Sequence, residues 1–447
     1  MKTFLLLLLA LASTSAAVAQ DTFNILVAPR GTTAFSNAEA QADGSTVFAE
    51  SALWRGLNRA ASLLNEGGDR EVRVLIASGD YGGELGSGGT QRVPQVENPR
   101  GSLKVFGGMN DDFSDRDPFS RFVSVPTQED RGGALFQIAG NSEFREIVIS
   151  GLVLDAAPSN DYDSRSGSLL KGSSRTFPIL AWAQVEAERV VVADNIIVNG
   201  PMGGFQIGSS PPEDNTGEVI VENNYFVNNL LALRTRTFGA NAFRAYALLT
   251  VRNNTFALNF PFNADPTSSN VSAVEWHNDN SFKRLVFENN IFAHNPGGAF
   301  QSDWEQEDLP EIEIRDNLFY SNGAVFGQSG PEDVVVAGKF GTNPEYILLD
   351  LDGARDNLRA TVSGNVSFDP DLRLALVADQ RVDPSFIKAQ VDEIDDPREL
   401  FGFSTGTVAV GVFAPEMLLD TRVVPIARNP DAQAYGVQRD DVRGQDE

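Results

Sequence analysis

One short phrase recurs six times between residues 190 and 367, and it leaves few folds open. The copies read VVVADNII, VIVENNYF, LTVRNNTF, LVFENNIF, IEIRDNLF and ATVSGNVS, with aligned asparagines at Asn195, Asn224, Asn254, Asn290, Asn317 and Asn365. The gaps between them are 29, 30, 36, 27 and 48 residues. A constant phrase with elastic gaps describes one structural coil per repeat, with the insertions carried outward as loops.

The period inside the phrase tells what each coil is made of. Apolar residues precede the Asn at alternate positions, as in Val219 and Val221 or Ile312 and Ile314, and an apolar residue such as Phe226, Phe256 or Phe292 comes after it. A period of two in short runs rich in Val, Ile and Phe means strands, with alternate side chains facing in. An inward Asn between two strands can bond backbone at a bend and the same Asn one coil away, about 4.8 Å along the stack. The expected fold is all-β: a single-stranded right-handed parallel β-helix.

The repeats and their flanks resemble the pectate-lyase-like superfamily of bacterial extracellular β-helix proteins. Asp43-Gly44-Ser45, the helical stretch FAESALWRGLNRAASLLNEGG and a strand closed by Gly79-Asp80-Tyr81 are similar to the N-terminal cap and first coil of such proteins. GGMNDDFSDRDPF (107–119), VDPSF (382–386) and PDAQAYGV (430–437) are similar to segments of their surface-exposed members and their closing coils. The likeness implies a fold. It does not select among the lyases, hydrolases, epimerases and non-catalytic surface proteins that share it.

A domain plan can be drawn from these landmarks. Lys2, the apolar run Phe4–Ala12 and Ala17-Val18-Ala19 read as a signal peptide over residues 1–19, cut before Gln20. The run is too short to span a membrane, and no transmembrane segment is expected elsewhere. Residues 20–425 are expected to form one β-helix domain, with a capping helix at about 47–65 and core coils at about 72–390. Residues 426–447 read as a polar acidic tail. The expected location is secreted: periplasmic, cell-surface or extracellular. With no Cys, disulfides and thiolate metal sites are excluded. A formal charge of −26 disfavours nucleic acid and anionic lipid as partners.

One stretch departs from the acidic background. Residues 223–264 hold no Asp or Glu, where 61 acidic residues in 447 predict about six, and they contain Arg234, Arg236, Arg244 and Arg252. Chance and Asn-rich turn chemistry would explain this blandly. The functional alternative is a basic strip for an acidic polysaccharide, since guanidinium grips carboxylate in a bidentate manner. Aligning the second strand of successive coils gives FQIG (205–208), LRTR (233–236), VEWH (274–277), FQSD (300–303) and VFGQ (325–328). Alternation then turns out Gln206, Arg234, Glu275, Gln301 and Phe326 in one column, and Gly208, Arg236, His277, Asp303 and Gln328 in the next. The bland reading of this patch is a ladder of cross-strand ion pairs. His294, placed just after a ladder phrase, reads as a structural substitute for a turn Asn.

As a site, the patch would suit β-elimination on a uronate-containing polysaccharide. Arg234 or Arg236 would neutralise the carboxylate, and His277 would act as base or acid with Glu275 or Asp303 setting its tautomer. Gln206, Gln301, Asp303 and Arg244 would bind substrate. Hydrolysis would use Glu275 and Asp303, whose Cα separation of about 8 Å suits inversion. No metal site is assigned, although Asp303, Glu305, Glu307 and Asp308 form an oxygen-rich loop able to hold Ca²⁺. The layout is similar to the alginate lyase and chondroitinase B group, which relies on a Lys, an Arg and often Ca²⁺. Its Asn-Gly-Gly-Glu, Lys-Ser-Ser and Arg-His-Gly motifs are absent, and Lys171-Gly172-Ser173-Ser174 is only a loose likeness. A polysaccharide lyase is therefore the leading expectation. A non-catalytic surface β-helix for adhesion or glycan binding, and a glycoside hydrolase, stay open.

Overall fold

The computed structural model describes residues 20–438 apart from 83–89, 127–133, 160–161, 164–167, 170–179, 183–184, 201–202, 208, 212–215, 236–244, 260–271, 276–281, 303–309, 325, 327–329, 340–344, 375, 379–416, 420 and 422–423. The proposed signal peptide thus lies outside the described residues. Among the described residues, three long sheets dominate, of 12, 9 and 9 strands. The chain visits them in turn. Glu218–Glu222 lies in the first sheet, Tyr225–Val227 in the second and Leu233–Arg234 in the third. Leu248–Arg252 then returns to the first sheet and pairs in parallel with Glu218–Glu222. Repetition of this circuit makes an all-β stack of coils with parallel in-register sheets. No described helix is long and apolar enough to cross a membrane.

The asparagines form a continuous ladder at the bend between the first and second sheets. From Asn195 through Asn224, Asn254, Asn290 and Asn317, each donates both its backbone N–H and its Nδ2 to the Oδ1 of the next, ending on Asn365, at 2.9–3.1 Å. The first five are fully buried, so these bonds satisfy polar groups that water cannot reach. The residue before each is left-handed, with φ of 56° at Asp194, 59° at Asn223 and 54° at Asn253, Asn289 and Asp316. Asn and Asp tolerate that conformation best among residues with a side chain, which is why the phrase reads Asn-Asn or Asp-Asn.

A second ladder runs at the next bend, five residues on. Asn229, Asn259, Asn295 and Asn322 bond in the same two-donor manner at 2.8–3.3 Å, and Asp333 accepts at the far end. Between the ladders, Phe226, Phe256, Phe292 and Phe319 stack inside the coils with centroids 4.8–5.3 Å apart and planes within 10°.

Helix α1 (Thr33–Gln41) and the segment 107–119 cover the outer side of the first coils. Ala34, Ala38, Met109 and Phe113 share a small core there with Leu26 and Ala77. Helix α2 (Leu53–Asn65) closes the N-terminal end, burying Leu53, Leu57, Ala60, Ala61 and Leu64 against inward residues such as Ile25, Val27, Val72 and Val74. It starts later than the expected residue 47. Val47–Glu50 is instead a strand pairing with Asp21–Val27, a partner remote from the local helical pattern. Helix α3 (Leu351–Asn357) precedes the last coil strands at Thr361–Ser363 and Val366–Ser367.

The stretch from residue 424 to 438, read from sequence as almost wholly tail, is packed rather than solvated. Its Val424, Ala432, Tyr435 and Val437, together with Leu419, join a second core built on the outward residues of the second sheet, including Ile196, Tyr225, Ile291 and Leu318. Turn residues receive it. Leu419 donates its N–H to Asn199 Oδ1 at 3.1 Å, Gly436 to the Asn289 carbonyl at 2.7 Å and Gln438 to Asn223 Oδ1 at 2.6 Å. Residues 439–447 and the 382–386 motif lie outside the described residues.

Candidate functional site

The third sheet carries the column expected from alternation. Gln206 pairs with Arg234, Arg234 with Glu275, and Glu275 with Gln301. The inward neighbours Phe205, Leu233, Val274 and Phe300 belong to the main core, so these four side chains face outward. The fifth expected member is wrong. Phe300 pairs with Val336, which places Ala337 beside Gln301, while Phe326 packs with Val334, Ala337 and Leu348. An insertion after Asn322 delays the strand beyond the spacing of the earlier coils.

Facing outward does not make this column accessible. Glu275 and Gln301 are both 0% exposed, against the expectation of a solvent-facing patch. Arg234 donates Nε–H to Glu275 Oε2 at 2.7 Å, with side-chain exposures of 24% for the arginine and 0% for the carboxylate. A carboxylate in that setting is held by its guanidinium and unreachable by a polymer. Gln206 is half-buried. Arg236, Arg244, His277 and Asp303 lie outside the described residues, as do Gly208, Gln328 and the Glu305–Glu307–Asp308 loop. Among the described residues no group of three or more His, Asp or Glu is arranged to hold a metal ion.

Neighbouring coils explain the acid-free stretch. Arg234 meets Glu275 from the next coil, and Arg252 meets Glu222 from the preceding one at 2.7 Å. The same cross-coil pairing runs over the first sheet, where Lys104 bridges Glu71 and Glu146, and Arg189 bridges Glu146 and Glu218. Described arginines of the strip are thus neutralised in space although not in sequence. Replacing Arg234 by Ala takes a charged partner from a fully buried carboxylate, so the expected cost is about 2–4 kcal/mol, well above the usual ±0.5 kcal/mol of a surface site. Thermal unfolding of the variant would measure it, and a cost near zero would mean that the pair adds nothing to the stability of the fold.

His294 occupies a left-handed turn position, φ 55°, in the column of Asn199 and Asn228, as its sequence context implied. It is 3% exposed, its ring edge-on to Tyr320 at 5.3 Å. Burial lowers its pKa to about 4, partly offset by the Asp369 charge. The folded state thus keeps it neutral while the unfolded chain protonates below about 6.5. Stability from this group is present above that value and is lost as pH falls toward 4. In His294→Asn, the stability curve between those pH values should flatten relative to the wild type.

Sequence reasoning missed a cavity on the opposite side of the circuit. Tyr225, Thr255 and Ile291, from three successive second-sheet strands, form its floor, and Leu372 and the C-terminal segment form its walls. The only signal for it was the unusual Tyr-Thr-Ile column in the position after the ladder Asn.

The backbone is similar to the crystal structure of Escherichia coli YbhC, with a TM-score of 0.39 and 11% identity, over 78% of this chain and 85% of that one. No family model and no curated protein matches the sequence.

Proposed function

We propose that the chain is a right-handed, single-stranded parallel β-helix of the pectate-lyase-like superfamily, exported to the cell envelope or beyond, that binds glycan without cleaving it. The first-to-second-to-third-sheet circuit and the two asparagine ladders support the architecture. The N-terminal apolar run supports export. The observation that carries the function is the closed Arg234–Glu275 pair, with Glu275 and Gln301 fully enclosed. A lyase needs an uncommitted cation for the uronate carboxylate, and a hydrolase needs two reachable carboxylates. Arg234 and Glu275 fit neither role.

The neutralised arginines also shift the expected ligand. With a net charge of −26 and the described strip arginines paired, polyanions are disfavoured and neutral glycan is favoured. A panel of alginate, pectate, glycosaminoglycans and neutral polysaccharides tests the reading directly. Binding without growth of the ultraviolet absorbance of an unsaturated product is the expected result. Product from any polyuronate would restore the lyase reading, with Arg236, His277 and Asp303 as its residues. Retention of nothing on the panel would remove glycan binding altogether.

A further inference from the structure

The two ends of the stack are finished differently. At the N-terminal end, helix α2 buries Leu53, Leu57, Ala60, Ala61 and Leu64 over the first coils. At the other end all three sheets stop together, at the strands Thr361–Ser363, Val366–Ser367 and Ile347–Leu349. Helix α3 lies beside these strands and buries only Ala354, so it is no counterpart of α2. Ile347, Leu349, Leu358 and Val362 pack on the main core from one side only and are half-buried. Their partners in the coil above, Val336 and Ile314, are 0% exposed. Tyr346, next to this end, is 40% exposed.

The backbone is unfinished there as well. Asn365 takes both donors of Asn317 on its Oδ1 and gives its Nδ2 to the Ile314 carbonyl at 2.8 Å. In every earlier rung from Asn195 onward, the backbone N–H bonds the next asparagine. That of Asn365, in a residue only 4% exposed, meets no acceptor among the described residues. Leaving such a donor unmet costs up to about 1–3 kcal/mol, and an open strand edge is a template for another strand. Charge admits a second copy at this end. In a chain of net charge −26, residues 351–363 hold two acids and two arginines. Asp352 and Arg355 pair with each other, while Asp356 and Arg359 are exposed and have no partner among the described residues. A two-fold contact matches residue i with j and j with i, so the Asp356 of each copy can meet the Arg359 of the other.

We propose that two copies of this chain join tail to tail through the last coil, covering its half-exposed apolar side chains and pairing the Thr361–Ser363 strands antiparallel about a two-fold axis. The contact is isologous, so it closes at a dimer and does not grow into a fibre. It is one coil wide, below the total of about 1,200 Å² buried in stable interfaces, so the dimer is weak and reversible. The outer faces of the three sheets stay uncovered by it, and the inference is independent of the glycan-binding reading above.

The test is sedimentation of the full chain from about 5 to about 500 µM, in about 0.05 and about 0.5 M salt. A reversible monomer–dimer equilibrium is expected, with more dimer at the higher salt, where repulsion between two chains of charge −26 is screened. Tyr346→Glu, at an exposed position that leaves the fold intact, and Val362→Lys, which sets a charge in the open end, should each weaken the dimer about tenfold or more. Crosslinking reads the geometry, because the chain has no Cys of its own. Ser363→Cys on the last coil and Ser62→Cys on the outer face of α2 both sit at exposed positions. A short bismaleimide should join two Ser363→Cys chains and should not join two Ser62→Cys chains. A crosslink between one variant and the other would mean head-to-tail stacking and overturn the proposal. A monomer at every concentration, or a dimer indifferent to both Tyr346→Glu and Val362→Lys, would overturn it too.

Discussion

Asn254→Leu should unfold at markedly lower denaturant than the wild type, with a loss of about 3–5 kcal/mol. The amide of Asn254 serves four partners at once. Its Oδ1 accepts from the Asn224 N–H at 2.9 Å and from Asn224 Nδ2 at 3.0 Å. Its Nδ2 donates to the carbonyls of Val221 and Arg252 at 2.9 Å and to Asn290 Oδ1 at 3.1 Å. Leucine is close in size, so the loss comes from polar groups and not from a cavity. One buried donor, the Asn224 backbone N–H, is orphaned at about 1–3 kcal/mol, and the Val221 and Arg252 carbonyls each lose a bond of about 0.5–1.5 kcal/mol, while Asn224 Nδ2 keeps the Val192 and Glu222 carbonyls. The effect should exceed that of Asn365→Leu, because Asn365 ends the ladder. Chemical denaturation of the two variants checks this, and equal losses would mean that the ladder is not a continuous chain of bonds.

Why that ladder was legible, and its twin was not, has a physical reason. The first ladder's Asn sits inside a strand–bend–strand phrase, so hydrophobic alternation on both sides flags it. Asn229, Asn259, Asn295 and Asn322 stand five residues later at every coil, yet the distance from each to the next strand changes, as from Asn229 to Leu233 and from Asn259 to Val274, so no constant phrase surrounds them. Offset alone could have found them. The capping helix was legible in its buried face and not in its start, because Val47–Glu50 takes its structure from a backbone partner more than twenty residues away.

The site was legible in register and illegible in exposure. Alternation correctly turned Gln206, Arg234, Glu275 and Gln301 to one side. Alternation tells which side of the sheet a residue faces and not how deeply that side is covered, so the burial of Glu275 and Gln301 could not be read from it. Charge failed for a related reason. A window of sequence samples one coil or two, whereas an outward arginine is surrounded by residues from the coils above and below, such as Glu275 for Arg234 and Glu222 for Arg252. In a solenoid, charge balance has to be computed across the stack. The C-terminal segment was read as tail, although 430–437 is similar to closing coils, because its polar, Asp-containing sequence looks solvated and its apolar residues are few and spaced singly.

That segment carries the other large effect. Gly436 is left-handed, φ 67°, and a Cβ there would lie 2.6 Å from Thr255 Oγ and 2.7 Å from Ile291 Cδ1. Both neighbours belong to the second-sheet face that the segment covers. Gly436→Val therefore combines overpacking, about 1–3 kcal/mol, with a left-handed β-branched residue, about 1–2 kcal/mol. The cheapest escape for the chain is to lift the segment and forfeit the bonds to Asn289 and Asn223. Lifting it uncovers Tyr225, Ile291 and Leu318, apolar side chains now shielded by Leu419, Val424 and Ala432. Deleting residues 417–447 does the same without strain, so the two variants should behave alike: dye binding to exposed apolar surface, self-association in light scattering, and a lower unfolding temperature. Gly436→Ala should fall between them and the wild type. A deletion variant that stayed monomeric and dye-free would show that the coils do not need this cover, and that the asparagine ladders and stacked phenylalanines suffice to hold the outer face as it is.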